Sequence, residues 1–277
     1  MDYFENIDQT VANALREDIG DGDITASLIN AGQEARAQVI SRQTAVICGQ
    51  PWVDEVIRQV NPDISVNWQV TDGDLVQPND SLFTLGGDAR DLLTAERTML
   101  NFLQTLSGTA TRTRQYVELV QDTKAVLLDT RKTIPGLRLA QKYSVKIGGA
   151  ENHRMGLFDA FLIKENHIQA VGSIIESIFK AKQIKPGVKV EVEVETLAQL
   201  HEAISAKPDW IMLDNFTLTQ MEEAAKIAKG TNIKLEASGG IESSDELLKI
   251  ALTGVDYISI GALTKHCEAI DLSMRFE

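Results

Sequence analysis

Cysteine is scarce in this chain: Cys48 and Cys267 are the only two in 277 residues. They lie far apart and match no metal spacing. A disulfide framework and a cysteine-held zinc are therefore excluded, and two free thiols in a reducing cytoplasm are expected. Histidine is also rare, and His153, His167, His201 and His266 form no paired metal motif. No apolar run reaches membrane-spanning length. The N-terminal MDYFENIDQT is polar and acidic, so neither a span nor a signal peptide is expected. Positive charge is in deficit, with 27 Lys and Arg against 40 Asp and Glu, a net charge of −13. A pI near 4.8 argues against a nucleic-acid partner, which would call for a broad basic surface.

What basic charge there is collects in one place. From Arg131 to His167 seven cations (Arg131, Lys132, Arg138, Lys142, Lys146, Arg154, Lys164) face three acids (Glu151, Asp159, Glu165). A cationic island in an acidic chain suits a small polyanion held in one pocket. Arg138, Lys142 and Lys146 recur at i, i+4 and i+8. That spacing reads equally well as a solvated helix face or as a pocket rim.

The chain changes pattern along its length. Residues 7–17 read as an amphipathic helix. EDIGDGDIT follows; Asp18, Asp21 and Asp23 lack calcium-loop spacing, so it reads as a structured turn. Residues 35–85 alternate apolar and polar positions and read as a small β-rich piece. Within it TDGDLVQPNDSLFTL looks like the hammerhead repeats of biotinyl and lipoyl domains, without their modified lysine. Residues 91–121 read as helix, broken at Gly108.

Apolar strands then alternate with amphipathic helices. Strands are expected at 125–129, 160–164, 188–194, 210–214, 233–237 and 257–261. Helices are expected at about 136–147, 170–183, 197–206, 218–229 and 243–252. Continuous apolar strands alternating with helices imply a parallel sheet buried on both faces, and a spacing of about 20–35 residues suits a βα barrel.

Six strand ends carry polar groups. They are Asp129 to Lys132, Lys164, Glu193 with Glu195, Asp214-Asn215, Glu236 with Ser238-Gly239-Gly240, and Ser259 to Gly261. In a βα barrel such ends converge on the mouth that holds the active site. The late turns Ser238-Gly239-Gly240 and Ile260-Gly261-Ala262 each precede a helical segment, the arrangement that holds phosphate on backbone N–H groups. Glu193 and Asp214, on neighbouring strand ends, suit a magnesium ion carried in with a polyphosphate, or ribose hydroxyls. Arg131, Arg154 and Arg97 suit bidentate pairing with carboxylates, with Lys132, Lys164 and His153 as further positive groups. The residues thus point to a cytoplasmic barrel enzyme for a phosphorylated substrate and a small carboxylate-bearing partner.

TRKTIPGLR (130–138), ENHR (151–154) and LIKENHI (162–168) resemble the quinolinate phosphoribosyltransferase family. The resemblance also takes in REDIGDGDIT (16–25), AERTMLNFLQTLSGTAT (95–111), VEVEVET (190–196), MLDNF (212–216), EASGGI (236–241) and GVDYISIGALT (254–264). It implies an N-terminal α/β sandwich over 1–108, joined by 266–277, and an incomplete, TIM-like βα barrel over 109–265. It implies a homodimer paired head to tail and leaves open whether the dimer assembles further, for instance into a hexamer. Quinolinate and phosphoribosyl pyrophosphate are the implied substrates, with Mg2+ and no organic cofactor. Arg131, His153, Arg154, Lys132 and Lys164 would hold the two carboxylates, with Arg97 supplied by the partner subunit. Lys132, Glu193 and Asp214 would serve catalysis, Glu193 and Asp214 also through the metal, directly or through water. Ser238, Gly239, Gly240 and Gly261 would cradle phosphate.

Three positions depart from the family pattern. Ala150 stands where a third glycine is common, and Asn79 where the hammerhead turn usually has glycine. Lys265 stands where some relatives have histidine, which leaves its contact with phosphate open. Competing readings are a nicotinate-using or molybdenum-transport-linked relative, a barrel lyase with Lys164 as Schiff-base lysine, and a protein that binds quinolinate without turning it over.

Overall fold

The computed structural model describes residues 2–241 and 243–277. In chain order the main elements are α1 (Ile7–Ile19), β1 (Glu34–Ser41), β2 (Ala45–Val46), α2 (Gln50–Val60), β3 (Ser65–Trp68), β4 (Leu75–Val76), β5 (Ser81–Asp88) and α3 (Ala89–Val120). There follow β6 (Val126–Leu128), α4 (Arg138–Ile147), β7 (Phe161–Ile163), α5 (Glu165–Val171), α6 (Ile174–Ile184), β8 (Val190–Val194), α7 (Leu197–Ala206), β9 (Trp210–Asp214) and α8 (Leu218–Ala228). The chain ends with β10 (Lys234–Ser238), α9 (Ser244–Leu252), β11 (Tyr257–Ser259), α10 (Ala262–Lys265) and β12 (Leu272–Phe276). Among the described residues no helix is long and apolar enough to cross a membrane.

The chain forms two compact units. The first comprises Met1–Arg114, Thr133–Gly149 and His266–Glu277; the second comprises Gln115–Lys132 and Ala150–Lys265. The division differs from the one expected, because the Thr133–Gly149 excursion groups with the N-terminal sheet rather than with the barrel. The cause is packing: α4 buries Ala140 in the first unit's core, with Leu137, Tyr143 and Ile147 against it. The solvated face considered for α4 is not there, since Lys142 is fully buried and Arg138 and Lys146 are half-buried.

The first unit holds a four-stranded antiparallel sheet in the order β12-β1-β5-β3 and a two-stranded β2-β4 pair. The hammerhead turn behaves as its asparagine allows: Asn79 adopts φ 74°, a conformation usually left to glycine. In the REDIGDGDIT turn Asp23 accepts the backbone N–H groups of Thr25 and Ala26 at 3.0 and 2.9 Å. Cys48 is buried and Cys267 exposed, both as free thiols.

Two elements of this unit differ from the sequence expectation. Inside the stretch read as β-rich, α2 forms an 11-residue helix with Pro51 in its first turn. It buries Trp52, Val53, Val56 and Ile57, and Asp72 accepts the N–H groups of Gly49 and Gln50 at its start. α3 also runs unbroken through Gly108. There glycine serves close approach rather than a break: a Cβ on Gly108 would collide with the backbone carbonyl of Glu268.

The second unit is a six-stranded parallel sheet in the order β6-β11-β10-β9-β8-β7. Strands β7 to β11 follow the chain, and β6 adds beyond β11. This is the order of a barrel left open between its first two strands, and it matches the incomplete barrel expected. β8 shows why the strands read as apolar although they carry charge. Val190, Val192 and Val194 alternate with Glu191 and Glu193, and all five are buried. One end of the sheet's interior is packed by aromatics from alternate strands. The Trp210 and Tyr257 rings stack at 4.1 Å, and the Lys189 ammonium lies 3.5 Å from the Trp210 ring centre.

Because the clash at Gly108 is with backbone, Gly108→Ala should cost about 1–3 kcal/mol or more. Thermal unfolding should register this as a lower melting temperature. An unchanged melting temperature would show that α3 and the Glu268 segment can part freely.

Candidate active site

All but one of the site residues expected from sequence fall in the second unit. Arg97 lies on an exposed position of α3 in the first unit.

The turn after β6 is fixed from several sides. Fully buried Asp129 accepts the backbone N–H of His153 at 2.9 Å and the Asn152 amide at 2.7 Å. It thereby ties the ENHR segment to the end of the first barrel strand. Thr130 Oγ1 accepts the Lys132 N–H at 3.0 Å, and the Lys132 carbonyl accepts the Thr264 hydroxyl at 2.8 Å. The Lys132 side chain lies along Gly261, where a Cβ would meet its Cδ at 3.1 Å. One of the two late glycine turns is thus in contact with the TRK lysine.

Beyond His153 the chain turns tightly around Asp159. This carboxylate accepts the N–H groups of Met155 and Gly156 at 2.7 and 3.2 Å. Burial disfavours its charge, but these backbone donors outweigh burial and hold its pKa below the ordinary value. Arg154 is half-buried. Burial and the neighbouring charge of Arg131 lower its pKa, while Glu191, Asp159 and Glu236 support its charge. Arg131 and Arg154 are therefore close enough to repel each other. An anion between such groups gains from both.

Beneath them lies a cluster the sequence did not reveal. His153 Nε2 is 2.9 Å from Glu191 and 3.3 Å from Glu236, and both carboxylates are fully buried. Glu236 also accepts the Ser259 hydroxyl in a short hydrogen bond. Burial works against charge on His153, but hydrogen bonds to Glu191 and Glu236 and their charges lift its pKa to about 9. Burial, Glu236's charge and a hydrogen bond to Glu236 raise Glu191, against the pull of His153. His153 Nδ1 accepts the Arg154 N–H at 2.7 Å, and Nε2 faces the two carboxylates. Glu236 stands out in the sequence at its strand end, whereas Glu191 does not. The signal for Glu191 is the alternation in VEVEV, which places it two residues before Glu193 on the same face.

At the ends of β7 to β10 the expected residues line up in strand order. Lys164 Nζ pairs with Glu193 at 2.6 Å. Burial raises the Glu193 pKa, Lys164 opposes this, and the charge of Asp214 adds to it. Asn215 adopts φ 53°, and its N–H donates to the Ser238 carbonyl at 3.2 Å. Gly239 has φ 151°, and a Cβ there would lie 3.3 Å from the Asn215 side chain. Gly240 faces open space: a Cβ at this position would meet nothing within 4 Å. Lys265 ends the short α10 and is exposed.

Two donor sets could hold a cation. His153, Glu191 and Glu236 place their ligand atoms within 4.8 Å of one another. The nearby Arg154, whose charge Glu191 and Glu236 support, weighs against a metal there. Glu193 and Asp214 are oxygen donors on adjacent strands whose charges repel, so a hard divalent cation would relieve them. It would take its remaining ligands from water or substrate phosphate, as magnesium does.

Family models match both parts of the chain: the N-terminal domain of quinolinate phosphoribosyl transferase over residues 23–107, and its C-terminal domain over residues 109–275. The chain is 42% identical over 259 residues to a probable nicotinate-nucleotide pyrophosphorylase (carboxylating) of Bacillus subtilis, covering 93% of this chain and 89% of that protein. It is 39% identical to the nicotinate-nucleotide pyrophosphorylase (carboxylating) of Mycobacterium leprae, covering 98% and 97%. The solved structure of the nicotinate-nucleotide pyrophosphorylase from Francisella tularensis superposes with a TM-score of 0.95 at 49% identity, covering 98% of this chain and 96% of that one. With both domain models matched in order and the barrel's strand ends carrying the family's motifs, the chain belongs to the quinolinate phosphoribosyltransferase family.

Proposed function

We propose that this protein transfers the phosphoribosyl group of phosphoribosyl pyrophosphate to quinolinate, releasing pyrophosphate and carbon dioxide and leaving nicotinate mononucleotide for NAD biosynthesis. The observation that carries the reading is that one barrel holds both the mutually repelling Arg131 and Arg154 and, at its strand ends, the Lys164–Glu193 pair. A monocarboxylate would not need so many cations. A Schiff-base lysine is less well supported, because Lys164 is engaged by Glu193 at 2.6 Å.

In this reading Arg131, Arg154 and Lys164 hold the two carboxylates of quinolinate, with His153 beneath them. Lys132, Glu193 and Asp214 face phosphoribosyl pyrophosphate, and Ser238, Gly239, Gly240 and Gly261 take phosphate. The ring nitrogen bonds to the anomeric carbon as the bond to pyrophosphate breaks, and positive charge builds on the ribose. Glu193 and Asp214 stabilise that charge. Magnesium bound at Glu193 and Asp214, directly or through water, would neutralise the leaving pyrophosphate. The bond to the carboxylate next to the ring nitrogen then breaks. Its electrons stay on the ring carbon beside the cationic nitrogen, which takes up a proton.

The family resemblance supports a homodimer in which Arg97 reaches the neighbouring subunit's site. Two free thiols, one of them exposed, support a reducing, cytoplasmic location.

Mixed with magnesium, phosphoribosyl pyrophosphate and quinolinate, the protein should yield nicotinate mononucleotide and equimolar carbon dioxide on chromatography, and nothing from nicotinate. Arg131→Ala should lower kcat/KM by on the order of 100-fold, the scale of a close charge pair that loses one partner. Product from nicotinate would overturn the reading. Gly240→Ala should keep the melting temperature but raise KM for phosphoribosyl pyrophosphate; an unchanged KM would remove this turn from the phosphate site. Inactive Arg97→Ala and Arg131→Ala proteins, unfolded and refolded together, should regain activity through mixed dimers. No regain would count against a shared site.

A further inference from the structure

Glu191 and Glu236 take no part in the chemistry just described, yet two fully buried carboxylates within reach of one imidazole are costly to keep. They come from β8 and β10, which flank β9, so they belong to alternate strands of one sheet. Residues from alternate strands share a layer in a βα barrel. That layer lies between the Trp210–Tyr257 stack and the strand-end charges: the His153 ring meets Trp210 edge-on at 6.4 Å, and Glu193 stands two residues beyond Glu191. Each carboxylate is held in place, Glu191 by His153 at 2.9 Å and Glu236 by His153 and the Ser259 hydroxyl. Both ring nitrogens of His153 are thereby engaged, Nε2 by the carboxylates and Nδ1 by the Arg154 N–H.

Two roles for the cluster can be separated. As core packing, it would be poor: apolar side chains of the same volume would fill the layer without desolvating charge. As support for the mouth, it has a clear use. Arg131 and Arg154 repel each other, and the charges of Glu191 and Glu236 act on Arg154 in the opposite sense. The Arg154 backbone is also tied to the ring that the carboxylates hold, at 2.7 Å.

Resting on the quinolinate reading above, we propose that Glu191 and Glu236 are positioning residues for the dicarboxylate. They fix His153 and supply the negative charge that keeps Arg131 and Arg154 side by side before the substrate arrives. Neither touches the reacting atoms. Their loss should therefore weaken the quinolinate site while sparing the phosphoribosyl pyrophosphate site and the fold.

The test compares Glu191→Gln and Glu236→Gln with the wild-type full-length protein, by steady-state kinetics in both substrates, calorimetry with quinolinate alone, and thermal unfolding. Glutamine keeps the shape and an acceptor for His153 but removes the charge. Each variant should raise KM and Kd for quinolinate about 10-fold, the lower end for groups that orient a liganding histidine. KM for phosphoribosyl pyrophosphate should stay within about twofold. The melting temperature should hold or rise, since a buried charge is removed. Ser259→Ala, which deprives Glu236 of a donor while leaving every charge in place, carries the same test if a glutamine variant fails to fold; it too should raise only the quinolinate KM. An unchanged or lowered quinolinate Kd in a folded variant overturns the inference. So does a fall in melting temperature with both KM values unmoved, which would assign the pair to the fold. If the wild-type protein itself neither binds nor consumes quinolinate, the proposed function fails first, and that outcome is read from the wild-type arm alone.

Discussion

A charge inside a parallel sheet must be neutralised by another charge or by several hydrogen bonds, and the interior of this barrel is arranged around that requirement. β8 places Glu191 and Glu193 among three buried valines. Each glutamate has a cationic or proton-donating partner from another strand or loop: His153 for the first, Lys164 for the second. Asp129, fully buried, is met by the Asn152 amide and the His153 N–H instead. Remove any of these partners and a buried carboxylate is left to be protonated or to pull the loop out of place. The segments after β6 and before β7 have little regular structure of their own. Their shape follows from these neutralising contacts more than from secondary structure.

The same contacts grade the interior along the strands. At one end aromatic rings stack and a lysine lies over Trp210. In the middle sits the cluster of His153 with two glutamates. At the strand ends come Lys164, Glu193 and Asp214, then the glycine turns. Acidic groups deep in the barrel thus stand behind cations nearer the mouth, a sequence of charge that suits a guest with two carboxylates better than one with a single charge.

Much of the barrel was legible because its signal is local. Strands such as WIMLD and helices such as 197–206 announce themselves by an apolar run or a 3.6-residue period. The boundaries matched Trp210–Asp214 and Leu197–Ala206. What was not legible depends on distant residues. α2 was hidden among β-like neighbours because its helix start is completed by Asp72, 23 residues from Gly49. Gly108 read as a break because its purpose, room for the Glu268 carbonyl, lies far along the chain. Lys142 read as a surface or rim cation because nothing nearby in sequence says that α4 packs into the first unit. For the candidate site, motif spacing marked Arg131, His153, Arg154, Lys164, Glu193 and Asp214. It gave no hint that Glu191 and Glu236 would meet across an intervening strand at one imidazole, since only the fold creates that proximity.

A prearranged, charge-balanced barrel mouth that receives a dicarboxylate is tested most directly by a crystal structure of the protein with quinolinate. Both carboxylates of the ligand should lie against Arg131, Arg154 and Lys164, with His153 still held by Glu191 and Glu236. Quinolinate seated elsewhere, or bound only after His153 has left the two glutamates, would contradict it.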